Sequence, residues 1–286
     1  MRPVHYITLA AAIALTALLY LGGNTVPPAK DGVATKQQHN DAAGAQGPNT
    51  MRAASFDSII ISSRKQLPKT AADEIAAIEN KLAAIRDSSQ MAAVFIQLAQ
   101  VWEKNKQLPV AAYYSAKAAK LENSEKKLTF AGQFFLQLMQ DADSRPVQMW
   151  EAEEAISCFQ QSLALDTNSE DIKLGLATGY IEGTNEPMRG VQMLLAITRD
   201  KPDDIPANLL LGKMSVQSGQ YDKAIDRFEK VLKIEPNNTE AMYFMAEAYK
   251  GKGEKQKAID LLEKCKRLVN KPEFSRDVDQ YINSFK

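Results

Sequence analysis

The sequence predicts an all-α fold of stacked helical hairpins, on three observations. Small and large apolar residues recur at a 34-residue period, with Ala224 matching Ala258, Gly212 matching Ala246, Phe228 matching Leu262 and Pro202 matching Pro236. Within each period the apolar residues fall at helical spacing, and no stretch of useful length alternates as a half-buried strand would. The composition, 45% hydrophobic and 24% charged over 286 residues, excludes wholesale disorder and collagen-like repetition. Self-similarity at a fixed period of this size marks units that bury their apolar faces only against their neighbours.

The first element is an apolar run. Val4–Gly23 holds no acid, Lys or Arg, and as a helix its twenty residues would span about 30 Å, the thickness of a bilayer's hydrocarbon. Tyr6 and Tyr20 stand near its ends, where amphipathic rings prefer the headgroup layer. A cleaved secretory signal is the rival reading. Cleavage wants small residues after the run, and Leu21-Gly22-Gly23 puts a leucine where a small one is preferred. No cysteine lies near the end of the run to carry a lipid anchor. Residues 1–23 are therefore expected to be an uncleaved transmembrane signal anchor. Arg2 and the amino terminus hold the N-terminus in the cytoplasm and send the body across.

Residues 24–55 turn to Gly, Ala, Pro, Gln, Asn and Thr without an apolar period, so they bury too little to offset their ordering entropy. A flexible tether with a typical reach of roughly 30 Å is expected. Residues 56–90 form an N-terminal helical segment, with Ile75, Ile78, Leu82 and Ile85 at helical spacing. Residues 91–272 carry about five repeats, and the polar-rich amphipathic stretch 273–286 suits a capping helix for the exposed end. One repeat is enlarged: Gly132 and Ala155 are about eleven residues farther apart than the period allows, and Asp143, Ser144 and Pro146 make the excess look like a loop.

Composition and motifs exclude most chemistry. Thirty-five Lys plus Arg balance thirty-five Asp plus Glu, against the basic surplus of a nucleic-acid binder. The histidines, His5 and His39, both lie before the body, so no His-based catalysis or metal binding is expected within it. No GxxxxGK[ST], GxSxG, HExxH or CxxC occurs, and Gly251-Lys252-Gly253 reads as a turn between repeat helices. Cys158 and Cys265 lie three repeats apart, beyond the roughly 7 Å between Cα atoms that a disulfide allows, so both should be free thiols. Eight Lys or Arg between Lys250 and Lys271 alternate with Glu254, Asp260 and Glu263, the pattern of a solvated helix face. The chain is read as no enzyme, with no cofactor, no metal and no nucleic-acid partner.

The period and its pattern resemble the tetratricopeptide repeat, a helix–turn–helix unit of 34 residues. Gly212 with Ala224, and Ala246 with Ala258, occupy the family's two small positions. Leu211, Phe228, Met242, Met245, Tyr249 and Leu262 occupy large ones, while Asn208 and Ser215 depart from the expected aromatics. Ala99, Trp102, Ala111 and Ala118 carry the pattern in the first repeat, and Gly190 with Leu194 in the third. The resemblance implies a right-handed superhelix whose inner groove is lined by three positions of each first helix. These are Ile96, Gln100 and Glu103; Thr129, Gln133 and Leu136; Gly175, Gly179 and Glu182; Leu209, Lys213 and Val216; and Tyr243, Glu247 and Lys250. The Lys and Asn pair with which some members grip a chaperone's carboxylate tail is absent. Gly175 and Gly179 should leave one stretch of wall open, and Tyr243 should stand exposed while Tyr249 is buried.

The whole arrangement is similar to the single-span, membrane-anchored periplasmic tetratricopeptide proteins of Bacteroidota. That similarity implies an inner-membrane scaffold whose periplasmic body binds a protein or peptide in its groove. The alternatives are a client-holding or assembly factor beside the translocon or in cytochrome and envelope assembly, a structural self-assembling protein, and, for location, secretion to the periplasm after signal cleavage.

Overall fold

The computed structural model describes residues 51–285, so the Val4–Gly23 run and the tether through residue 50 lie outside the described residues. Among the described residues there are thirteen α-helices and no strand: α1 (Phe56–Arg64), α2 (Lys69–Ala84), α3 (Ser88–Lys104), α4 (Leu108–Glu122), α5 (Glu125–Gln140), α6 (Arg145–Leu165), α7 (Glu170–Gly183), α8 (Pro187–Asp200), α9 (Ile205–Gln217), α10 (Tyr221–Ile234), α11 (Thr239–Gly251), α12 (Lys255–Val269) and α13 (Pro272–Asn283). None of them is long and apolar enough to cross a membrane. Five hairpins, α3–α4, α5–α6, α7–α8, α9–α10 and α11–α12, pack each on the next, with α2 against α3 at one end and α13 against α12 at the other.

The sequence marks the two helices of a hairpin differently. Every first helix opens on a side-chain cap that satisfies an amide the helix cannot pair. Asp87 accepts from the Gln90 amide at 2.8 Å, Ser124 from Lys127 at 3.4 Å and Ser169 from Ile172 at 3.4 Å. Asp204 accepts from Ala207 and Asn238 from Ala241, both at 2.8 Å. The second helices make no such bond; α4, α6 and α8 begin instead with a proline, whose missing N–H is no loss in a first turn. Inside the fourth and fifth hairpins the turn needs a positive φ, which Gly219 (72°) and Gly253 (80°) adopt; Lys106 holds the equivalent place in the first hairpin at 59°.

Packing runs from neighbour to neighbour. One apolar cluster extends from Ile59 to Tyr180, a second joins Ala177 to Leu211, a third covers Ala224 to Ala248, and a fourth joins Ala246 to Ile282. Ala99, Trp102, Ala111, Ala118, Leu194, Ala224, Phe228, Ala258 and Leu262 are all buried. Asn208 is buried in place of an aromatic because its polar atoms are paired: its amide donates to the Pro202 and Asp204 carbonyls, and its oxygen accepts from Arg227. Cys158 and Cys265 are free and buried, and burial pushes the Cys158 thiol up to about 11.

Two expectations need correction. The extra residues of the second hairpin do not enlarge its turn. Only residues 141–144 separate α5 from α6, and α6 runs for 21 residues because Met149, Trp150 and Ala152 continue its apolar face and are buried. Phe56 of α1 stacks on Tyr113 of α4, its ring centroid 3.6 Å away, and lies 6.1 Å from Trp150 of these added turns. Residues 51–55 are likewise held rather than free. The Ala54 amide donates to the Pro146 carbonyl at 2.8 Å, Asn185 Nδ2 donates to the Met51 carbonyl at 3.2 Å, and Ser55 caps α1.

Candidate functional site

The first helices α3, α5, α7, α9 and α11 present one face of the stack, and the fifteen groove residues all lie on them. They do not form one continuous groove. Two hollows and one covered end divide the set.

The first hollow, about 320 Å³, opens between α3 and α5 over α4. Ile96 and Phe130 flank an alanine floor of Ala118, Ala119 and Ala131, with Lys126 and Lys127 on the rim. Ile96 is 36% exposed and Phe130 67%. Phe130 stacks on Phe134, one helical turn away, with ring centroids 6.5 Å apart. Gln100, Glu103 and Gln133 are exposed on the same two helices. Thr129 is drawn inward instead, within 2.6 Å of Ser162 Oγ and bonded to Glu125. Phe130 lies outside the repeat's groove positions because it follows one of them, Thr129, by one residue. The available signal was a phenylalanine four residues after Lys126, on the same exposed helical face.

Beyond it the face closes. Gly175 and Gly179 leave no opening, because α6 fills the space: a Cβ on Gly175 would lie 2.5 Å from Phe159 Cζ and one on Gly179 3.0 Å from Ile156 Cγ1. Phe159 also presses on Gly132, where a Cβ would come within 2.9 Å. These glycines let a second-helix side chain ride between two first helices, a packing role that their positions in the repeat did not disclose.

The second hollow, about 380 Å³, lies where α7, α9 and α11 meet, lined by Ile181, Glu182, Leu210, Lys213, Met214, Gln217 and Phe244. Lys213 Nζ pairs with Glu240 at 2.7 Å and stands 5.0 Å from the Phe244 ring centroid. Burial raises the Glu182 carboxyl above its ordinary value, opposed by Lys213 and reinforced by Glu240. Glu182 and Lys213 are the predicted residues that the fold brings together; Leu209 and Val216 turn half-buried into the apolar core beside them. The hollow thus holds a half-buried acid, a cation paired with Glu240 and an aromatic face.

The last three groove residues are covered by α13. Lys250 Nζ donates to the Tyr281 hydroxyl at 2.6 Å, and that hydroxyl donates to Glu247. The Tyr243 ring lies 6.3 Å from Tyr281, so Tyr243 is half-buried against the cap instead of standing free. Burial first, then the bond to Glu247, raises the Tyr281 hydroxyl well above the usual tyrosine value. Tyr249, expected to be buried, is also half-buried, with Lys257 Nζ 5.0 Å from its ring centroid. Much of the basic run is internally satisfied: Lys252 pairs with Asp222 and Glu254, Lys257 with Glu254, and Lys266 with Glu263 and Asp279.

Residues 215–274 match the family model of the tetratricopeptide repeat. No curated protein matches the chain. Similar solved structures include YrrB, described as a TPR protein with an unusual peptide-binding site, at 19% identity and a TM-score of 0.44 over 66% of this chain and 92% of that one. MamA is 19% identical with a TM-score of 0.47, covering 63% of this chain and 92% of that one. PilW, described as a widely conserved type IV pilus biogenesis factor, is 19% identical with a TM-score of 0.48, covering 64% and 79%.

Proposed function

We propose that this chain is a membrane-tethered, non-catalytic scaffold whose helical stack binds a partner protein on its first-helix face. The observation that carries the reading is the pair of part-apolar hollows on that face, one lined by Phe130 and Ile96 with Lys126 and the Lys127–Glu122 pair on its rim, the other with Lys213 5.0 Å from the Phe244 ring. Exposed large apolar residues rimmed by charge mark binding surfaces, and a peptide with a few apolar anchors is the ligand they suit. The tetratricopeptide match at residues 215–274 supports the same reading, since a stack of this kind offers extended surface and no preassembled reaction chemistry.

The membrane anchor is the Val4–Gly23 run, with Arg2 on the cytoplasmic side and the body beyond the inner membrane. The protein is expected to stay with membranes after carbonate washing, with its body shielded from protease added to the cytoplasmic side. A shortened soluble form would replace the anchor by a cleaved signal, and a body digested from the cytoplasm would reverse the orientation. Selection of random peptides on the purified body tests the binding reading. The selected peptides should lose about tenfold in affinity to Phe130→Ala or Lys213→Ala, the cost of one anchor at about 1.4 kcal/mol. Peptides indifferent to both substitutions would overturn the assignment of the face.

A further inference from the structure

The second helices carry an apolar trough of their own. α8 and α10 stand apart over α9 and leave a space of about 420 Å³ between them. One wall is the α8 stripe of Met188, Val191 and Leu195, spaced so that all three share one helical face; Met188 is 62% exposed and Leu195 46%. The floor includes Leu211 and Met214 of α9, and the facing wall is Lys223 and Arg227 of α10. No carboxylate lines the trough. Arg227 Nη1 donates to Asn208 Oδ1 at 3.1 Å and Lys223 Nζ to Gln220 Oε1 at 2.7 Å, both neutral oxygens. Among the described residues neither cation has an ion-pair partner. Partial burial pushes the Arg227 guanidinium below its ordinary value, as desolvation without a counter-charge does.

We propose that this trough, walled by α8 and α10 and sharing Met214 of its floor with the second hollow, is a further docking site, and that it takes an acidic amphipathic helix of a partner protein. Apolar side chains on successive turns of that helix lie along Met188, Val191 and Leu195, and a flanking carboxylate meets Arg227 and Lys223. The charge argues for the carboxylate. A half-buried guanidinium that has lost water and gained only a neutral oxygen gains most from an anion, and a paired fork geometry is what arginine offers one. The shape argues for a helix. The floor residue Leu211 is buried at the bottom of a recess, which a ridge of side chains can enter and a flat bilayer cannot.

The test uses the full chain in detergent and a fluorescein-labelled, alanine-based helix of about sixteen residues. The peptide carries leucines at one-turn intervals with two glutamates beside them, and a sibling peptide has glutamine in their place. The glutamate peptide should bind, and Arg227→Gln should weaken it about tenfold while leaving the already weaker glutamine peptide unchanged. Leu195→Asp and, independently, Met188→Asp should remove binding of both peptides without altering the circular dichroism, because both side chains are exposed. Phe130→Ala, on the other face, should have no effect. Equal affinity of the two peptides would overturn the charge argument, and sensitivity to Phe130→Ala instead of Leu195→Asp would move the peptide to the first-helix face. Dimerisation of the chain abolished by Leu195→Asp would make a second copy the occupant. A Leu195→Cys thiol protected by anionic phosphatidylglycerol vesicles but not by the peptide would make the occupant a lipid surface. Either of these last two results would also overturn the proposal.

Discussion

At Gly175 a single hydrogen in place of a side chain admits the ring of Phe159, with a Cβ there falling 2.5 Å from Phe159 Cζ. Gly175→Ala should therefore cost about 1–3 kcal/mol by overpacking, while Gln133→Ala, exposed on α5, should stay within about 0.5 kcal/mol. Urea melts of the two decide it, and a neutral Gly175→Ala would mean that the wall is open after all. Glu151 poses a different question. It is 1% exposed on α6, its Oε2 has no hydrogen-bond partner, and burial, with Asp143 second, pushes its carboxyl up to about 7. The folded state thus keeps a proton that the unfolded chain releases at about 4.5, so stability falls as pH rises through that window and the penalty is complete above it. Glu151→Gln should stabilise the protein on the order of 2–3 kcal/mol at pH 8 and hardly at all at pH 4. Parallel pH profiles for the two proteins would show that the carboxyl is not desolvated. The sequence could not have announced either residue. That glutamate lies on the added length of α6, in the run with Met149, Trp150 and Ala152 that is buried.

The helices themselves were largely legible. The small residues that the resemblance pairs, Gly212 with Ala224 and Ala246 with Ala258, are all buried, and Gly212 makes room for Phe228, whose Cε1 would lie 2.5 Å from a Cβ there. What the period could not show is where the pattern is broken. The excess in the second hairpin reads as a loop from Asp143, Ser144 and Pro146, yet a serine followed closely by a proline is also how a helix begins, and the apolar run from Met149 onward draws those residues into α6. The end of the tether is illegible for a related reason: residues 51–55 bury little by themselves and are fixed by partners more than ninety residues away in the sequence, Pro146 and Asn185. Phe56 is the hinge of that arrangement. Phe56→Ala should cost about 2 kcal/mol, less than a fully buried phenylalanine because the ring is only half-buried, and should speed amide exchange in α1 before any other helix. Uniform loss of protection along the stack would show instead that α1 is integral to the array.

For the whole molecule, the hollows between first helices and the trough walled by second helices present different chemistry to a partner. The groove was legible as a set of positions but not as a continuous surface. Tyr243, Glu247 and Lys250 look available until α13 folds over them, and no local pattern reveals that a capping helix lands on a binding face rather than beside it. The surviving hollows leave Gln133 and Gln217 as exposed first-helix residues, and Gln161 as an exposed residue of α6 on the other set of helices. Photo-crosslinking in cells from benzoylphenylalanine placed at each of these three sites is the most direct measurement of where a partner sits. A common adduct from positions 133 and 217, absent from 161, is expected. An adduct from position 161 with none from the other two would contradict a partner surface on the first helices.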